Sequence, residues 1–209
     1  MGPSKRNTEQ INESASPYRY NRLTELLNAT DKNTVQKTVN ILRDQKGIHN
    51  SDIGMGNEKA INQLIAHHAV VFEPGKLIAW VSTSPWQLGQ FVAYDLKKVF
   101  ALKGMKQDRE ISESNLNVPA DSFLLTPAYQ QFESFRKIKK RMEEGGEVNT
   151  DSLVATNPQL YNAYVLAGDY LYKKKEYKKA LYFYQQALAR EIATLKEKEH
   201  ILSRIKKLD

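Results

Sequence analysis

The sequence of 209 residues contains no cysteine, and this absence excludes several kinds of chemistry. Disulfide bonds, thiolate metal sites and catalysis by a cysteine of this chain are all ruled out. No apolar run approaches the roughly 18 residues that a membrane-spanning helix needs. The polar stretch 1–16 has no hydrophobic signal core. Since a protein without cysteine is indifferent to redox conditions, the sequence indicates no compartment.

Charge is present in ordinary amount but is unevenly distributed. Charged residues make up 26% of the chain and apolar residues 41%, which is typical of a globular protein. Residues 1–130 carry 15 basic and 13 acidic side chains, whereas residues 131–209 carry 16 and 11, which together give the net charge of +7. Because acidic residues are mixed among the basic ones, we interpret the excess as solvated helix surface. We therefore expect neither nucleic acid nor a membrane as a partner.

The first third of the chain predicts a disordered lead-in over residues 1–15 and then two helices. Pro17 is tolerated in the first turn of a helix, and one face of residues 17–29 is apolar, with Tyr20, Leu23, Leu26 and Leu27. The second helix follows residues 31–33, and its stripe consists of Val35, Val39 and Leu42. Gly47 is expected to end it.

Residues 64–96 predict an antiparallel meander. We expect strands at 64–72, 77–82 and 90–96, with a tight turn at 73–76 in which Pro74 presets φ and Gly75 permits a positive φ. The first strand is apolar on both faces, and a strand of this kind is normally covered on both faces. The pattern therefore predicts that the meander lies inside a larger sandwich.

The C-terminal part predicts helices throughout. A helix after Thr126 is expected to end at Gly145, and a polar link follows at 147–156. The segment 158–191 resembles one tetratricopeptide unit, because Gly168 and Ala180 place small residues where two helices would cross. Tyr177 and Tyr184 would fill the space between these helices. Ile192 stands where that family usually has proline, and a single unit needs something else to pack against.

A second resemblance covers roughly residues 17–100. Leu42-Arg43-Asp44 with Gly47, the hairpin containing Pro74 and Ala79-Trp80-Val81, and the strand Phe91-Val92-Ala93-Tyr94 occur in one order. This order resembles the C-terminal end of the acyl-coenzyme A:6-aminopenicillanic acid acyltransferase family. The resemblance implies an N-terminal-nucleophile hydrolase with a four-layer αββα sandwich and a cysteine nucleophile. Here that cysteine would have to lie in an upstream catalytic half.

The resemblances together imply an α+β chain with two parts. Residues 16–120 would be the C-terminal portion of the αββα domain, and residues 121–209 an all-α region that includes the tetratricopeptide-like unit. The leading hypothesis is a C-terminal fragment of an acyltransferase or amide hydrolase that completes the fold of the upstream half and is not catalytic alone. The alternative is a scaffold that binds a protein partner through the helical region.

No catalytic, cofactor-binding or metal-binding residue is assigned from the sequence. Ile53-Gly54-Met55 stands where many relatives carry Ile-Cys-Arg, so that arginine cannot be carried over. Gly54-Met55-Gly56 lacks the surroundings of a nucleotide loop and is interpreted as a loop glycine pair. His67 and His68, adjacent on an expected strand, would point to opposite faces and could not share a metal ion. Ser82-Thr83-Ser84 is interpreted as strand-end hydroxyls that bond to turn backbone.

Overall fold

A computed structural model describes residues 10–11, 13–29, 32–66, 68–102, 104 and 110–208. In these residues the chain contains eight α-helices and one three-stranded antiparallel sheet, so the predicted mixed α and β class is confirmed. Most of the predicted lead-in, residues 1–9 and 12, lies outside the described residues. Within the described ranges, none of the helices is both long and apolar enough to cross a membrane.

The first two helices begin where the sequence predicts but dock in different ways. Helix α1 spans Ser16–Asn28 and helix α2 spans Val35–Leu42. Thr34 caps α2 by accepting a hydrogen bond from the Lys37 N–H, and Val39 packs against the sheet. The apolar face predicted for α1 is instead largely exposed at Tyr20, Leu23 and Leu27. Arg22 is the buried side chain of α1, so polar contacts hold this helix in place.

The predicted meander is confirmed, with shorter strands. Strands β1 (Val70–Glu73), β2 (Ile78–Ser82) and β3 (Phe91–Asp95) are ordered β1-β2-β3 and paired antiparallel. The first strand begins at Val70 rather than Leu64, because Leu64 adopts φ +53° and packs into the core of the helical part. In the turn after β1, Leu77 holds the positive φ of 58° that the sequence suggested for Gly75.

Only one face of the sheet is covered by the described residues. Val71, Trp80 and Ala93 share this face and pack with Val39 of α2. The opposite face is open at β1, where Val70 is 41% and Phe72 62% exposed, whereas Ala79 of β2 is buried. The described residues therefore form a three-stranded sheet with one covered face, and the larger sandwich predicted around the meander stays a prediction.

The remaining helices run from the end of the sheet to the C-terminus. They are α3 (Leu96–Phe100), α4 (Pro127–Glu143), α5 (Thr150–Ala155), α6 (Tyr161–Lys173), α7 (Tyr177–Leu188) and α8 (Leu195–Lys206). Short 3-10 turns occur at Ile48–Asn50, Ser114–Leu116 and Ser122–Leu125. The segment predicted as a polar link contains α5, because the Asn149 side chain caps the helix and Leu153 is fully buried.

The helix-turn-helix predicted at 158–191 is present as α6 and α7. The crossing is closest at Gly168, where an added Cβ would lie 2.5 Å from the Tyr184 ring. Tyr184 fills the space between the helices, but Tyr177 does not, because it is 47% exposed and stacks edge-on against Tyr172. The hairpin meets its need for packing within the chain, since Phe132 of α4 and Ile201 of α8 share its core.

Candidate functional site

The segment Leu42-Arg43-Asp44 is part of the pattern that resembles the acyltransferase family. Its three side chains contact three different parts of the structure. Leu42 packs toward the sheet core. The Arg43 guanidinium donates hydrogen bonds to the carbonyls of Gln87 (3.1 Å), Gly89 (2.7 Å) and Pro119 (2.8 Å). Asp44 turns the other way and accepts two hydrogen bonds from the Arg22 guanidinium, each 2.9 Å long. The segment is therefore a structural junction between α1, α2 and the loop after β2.

Arg22 is the most deeply buried charged side chain of this junction, with only 1% of its surface exposed. Besides Asp44, it donates to the Asn50 side chain and lies 3.1 Å from a Glu25 oxygen. The hydrogen bonds that Arg22 donates to Asp44 raise the pKa of Arg22 above its ordinary value. Burial lowers the pKa of Arg43, and the charge of Asp121 partly opposes this effect. Both guanidinium groups therefore hold the fold through their contacts with protein groups.

The loop around Gly54 is fastened to the helical part. The Asn157 side chain accepts from the Met55 N–H (3.1 Å) and donates to the Met55 carbonyl (2.8 Å). Gly54 has φ +83° and approaches the backbone of Leu160 so closely that an added Cβ would collide with it. Asn57 adds another contact with the helical part by donating to the Glu191 carbonyl at 2.8 Å. The predicted loop glycine pair is thus explained by packing and positive φ.

The loop after β2 is built on the helical part as well. Trp86 packs edge-on against Phe132 of α4, with ring centroids 6.0 Å apart, and Arg136 lies 4.2 Å above the Trp86 ring. Of the three hydroxyls predicted to bond to backbone, those of Ser82 and Thr83 have backbone partners. Ser82 Oγ accepts from the Ala69 N–H at 2.7 Å, and the Thr83 hydroxyl donates to the Gln90 carbonyl at 3.0 Å. Both hydroxyls are therefore engaged in hydrogen bonds with the backbone.

The histidines supply no metal site in the part of the chain that the structure describes. His67 lies outside the described residues, and His68 is exposed on an extended segment that precedes β1. The expected arrangement of both histidines on a regular strand is therefore not observed for His68. No group of three or more acidic or histidine side chains that could hold a metal ion occurs among the described residues.

The open face of the sheet is the feature that lacks an explanation within the described residues. Its side chains form two cross-strand rows, Val70-Val81-Val92 and Phe72-Ala79-Tyr94. Rows of this composition normally pack against another layer, because exposed apolar patches rarely remain free on a monomer. We call these six residues the open sheet face. The alternating apolar pattern that would reveal it was visible in the sequence, but the pattern does not say which face is left uncovered.

The sequence missed the residues that hold the junction together. Arg22 lies in a helix that we interpreted by its apolar spacing, and no role was predicted for Asn157. A charged residue offset from an apolar stripe was the only available signal for Arg22. Comparisons of the chain with protein-family models, with curated proteins and with solved structures find no match.

Proposed function

We propose that this chain is the C-terminal part of a cysteine N-terminal-nucleophile acyltransferase or amide hydrolase. It completes the fold of an upstream catalytic half and is not catalytic alone. The observation that carries the proposal is the open sheet face, which is apolar across all three strands and leaves Val70 and Phe72 of the edge strand β1 exposed. The acyltransferase resemblance, which lies over the same strands, requires a further layer at this position.

The expected occupant of the open sheet face is the second sheet of a four-layer sandwich. Two packed sheets lie about 10 Å apart with interdigitating side chains. Phe72 is the most exposed residue of the open sheet face, because 62% of its surface is accessible to solvent. Burying a side chain of this type contributes about 1.5–3 kcal/mol. A layer that covers Val70, Phe72, Val81 and Val92 would therefore be held firmly.

Coexpression with the preceding segment of the reading frame tests this proposal. We expect that segment to contain a cysteine that becomes N-terminal after self-cleavage, and to elute together with this chain. The complex should hydrolyse acyl-amide substrates, whereas this chain alone should not. Phe72→Lys should abolish co-elution. Leu125→Lys is the matched control, because Leu125 is 86% exposed but lies away from the sheet. The proposal fails if the preceding segment has no cysteine, or if Phe72→Lys and Leu125→Lys behave alike.

A scaffold role for the helical part is the second candidate, and one observation favours it. Tyr172 and Tyr177 are 43% and 47% exposed, and their rings stack edge-on with centroids 5.4 Å apart at the α6–α7 turn. Exposed tyrosines are enriched in protein interfaces. A pull-down with the whole chain and a Tyr172→Ser/Tyr177→Ser variant checks this role. Partners that are retained equally by both proteins would count against it.

A further inference from the structure

The two outer edges of the sheet differ in whether their backbone groups have partners. At the edge of β3, a segment that follows α3 supplies them. Phe91 and Val118 exchange two backbone hydrogen bonds, of 2.9 and 3.0 Å. The Ala93 carbonyl accepts from the Glu113 N–H at 2.8 Å, and the Ala93 N–H donates to the Asn117 side chain at 2.9 Å. This edge is therefore closed to a further strand.

The outer edge of β1 is open in the part of the chain that the structure describes. The Ser82 N–H donates to the Ala69 carbonyl at 2.9 Å, and the hydrogen-bonded residues of an antiparallel pair alternate along each strand. The next residue that bonds to β2 is therefore Val71. The N–H and C=O groups of Val70 and Phe72 point away from β2, and they form no hydrogen bond with other described residues.

Strand β1 also lacks the features that usually prevent an edge strand from pairing. Its four residues, Val70–Glu73, include no proline and no lysine, and no bulge interrupts its register with β2. The two residues with unpaired backbone groups, Val70 and Phe72, carry exposed apolar side chains. An edge of this kind favours the addition of another extended strand, because that strand satisfies the backbone groups and covers the side chains together.

We infer that two copies of this chain pair through their β1 edges, antiparallel to each other and across a twofold axis. Val70 of each copy lies opposite Phe72 of the other copy, and each of these residue pairs exchanges both of its backbone hydrogen bonds. The two sheets then form one continuous sheet, with the closed symmetry that is commonest among homodimers. Edge pairing uses the backbone of β1 and leaves the open sheet face accessible, so the inference does not depend on the proposed acyltransferase function.

The side chains of β1 complement those of a second copy in this register. Val70 and Phe72 of the two copies meet on the same face, and cross-strand pairs of a β-branched and an aromatic residue stabilise antiparallel sheets. On the other face, Val71 meets its own equivalent. Glu73 lies opposite Ala69, so no like charges face each other across the axis. The strand is therefore complementary to itself in hydrogen bonding, in apolar contact and in charge.

The two neighbouring registers are less favourable. A shift toward the turn places Pro74 opposite Val70, and proline has no N–H to donate to the partner strand. A shift in the opposite direction places His68 opposite Phe72, which replaces the aliphatic partner of the ring with a polar side chain. We therefore expect the register centred on Val71.

Sedimentation equilibrium of the whole chain over a range of concentrations tests the inference, and we expect a monomer–dimer equilibrium. Val70→Pro removes an outward-pointing N–H and no hydrogen bond to β2. It should raise the dimer Kd about tenfold or more, because the dimer loses this bond on both sides of the axis. Val92→Lys is the matched control. It places a charge on the open sheet face at β3, away from the β1 edge, and should leave the Kd unchanged.

Amide hydrogen exchange followed by NMR locates the contact. The amides of Val70 and Phe72 should exchange more slowly as the protein concentration rises. The Val71 amide, which faces β2, should show no such dependence. Circular dichroism shows whether Val70→Pro keeps its fold. If it does not, Val70→Lys replaces it as the test variant, because it retains the N–H and should weaken the dimer through a charge at the edge.

Three outcomes would overturn the inference. A monomer at every concentration would leave the β1 edge for a strand of another protein. A dimer that Val92→Lys weakens as much as Val70→Pro does would mean that the copies pack through their open sheet faces. An unchanged Kd in the folded Val70 variants would place the contact elsewhere. If Val92→Lys prevents binding of the upstream half while the dimer stays intact, that result concerns the proposed function and supports the edge contact as separate from it.

Discussion

The sheet region (residues 16–120) and the helical tail (residues 121–208) are stabilised in different ways. The sheet core consists of six buried residues, Val39, Val71, Trp80, Phe91, Ala93 and Val118, and Arg22 and Arg43 supply the other deep contacts. The tail has a larger apolar core that extends from Phe132 through Tyr184 to Ile201. A three-stranded sheet with one covered face has little apolar area to bury. Polar junctions therefore hold the sheet region, whereas apolar packing holds the tail.

This difference indicates that the sheet region, and not the tail, leaves apolar surface uncovered. Most of the core of the tail comes from the tail itself, because residues of α4 and α8 pack with the hairpin. The sheet region leaves one face and the apolar side of α1 open, at Phe72 and at Tyr20. It also depends on the tail, since Leu64 and Leu88 of the sheet region are buried in the tail core. Four experiments test this difference between the two regions.

The largest effect is expected from Asp44→Ala. This change leaves the Arg22 charge, which is 1% exposed, without its two 2.9 Å bonds to Asp44. Removing one partner of a buried ion pair costs about 3 kcal/mol or more. Urea unfolding measures the loss. Glu143→Ala is the control, because it removes only the exposed 3.7 Å contact with Lys139 and should cost less than about 0.5 kcal/mol. Equal losses would show that the junction does not hold the sheet region.

Gly168→Leu is expected to destabilise the tail by about 1–3 kcal/mol through overpacking. The new side chain would enter space held by the Tyr184 ring, which is 1% exposed and fixed by a 2.7 Å bond from its hydroxyl to Asp169. The gain in helix propensity on replacing glycine is at most about 1 kcal/mol, so overpacking prevails. Thermal unfolding measures the change. Gly75→Leu, where an added Cβ meets nothing within 4 Å, should stay nearly neutral.

Alkaline pH should weaken the tail selectively. Burial raises the pKa of both Tyr161 and Tyr184 above the ordinary value of 10, so the folded tail keeps these protons after the unfolded chain has lost them. The stability they contribute is complete below pH 10 and declines as pH rises above it, by at most about 1.4 kcal/mol per pH unit for each tyrosine. Urea midpoints followed by helix circular dichroism check this slope, which Tyr184→Phe should reduce. A midpoint independent of alkaline pH would contradict the prediction.

The smallest effect is expected from Phe72→Lys in the isolated chain. Because 62% of Phe72 is exposed, the free energy of unfolding should change by less than about 0.5 kcal/mol. Self-association should decrease, since a charge interrupts the open sheet face. Sedimentation velocity and urea unfolding measure the two properties. Trp80→Lys on the covered face is the comparison variant, and it should prevent folding of the sheet. Similar stability of the two variants would mean that the two faces do not differ in burial.

The local elements could be predicted from the sequence. Helix starts at Pro17, Thr34 and Thr126, and the hairpin that includes Pro74, follow from caps, spacing and turn chemistry that act over a few residues. These interactions are local, so a single chain is enough to predict them. The same holds for the small residue at Gly168, whose lack of a side chain predicted a close crossing of helices.

Which surfaces of these elements pack against each other could not be predicted and became clear from the tertiary structure. It buried Arg22 in place of the apolar face of α1, moved Leu64 from an expected strand into the tail core, and placed Asn157 on Met55, 102 residues away. It also left Phe72 exposed. These outcomes depend on which distant groups compete for the same buried space, and a pattern of neighbouring residues contains no information about that competition.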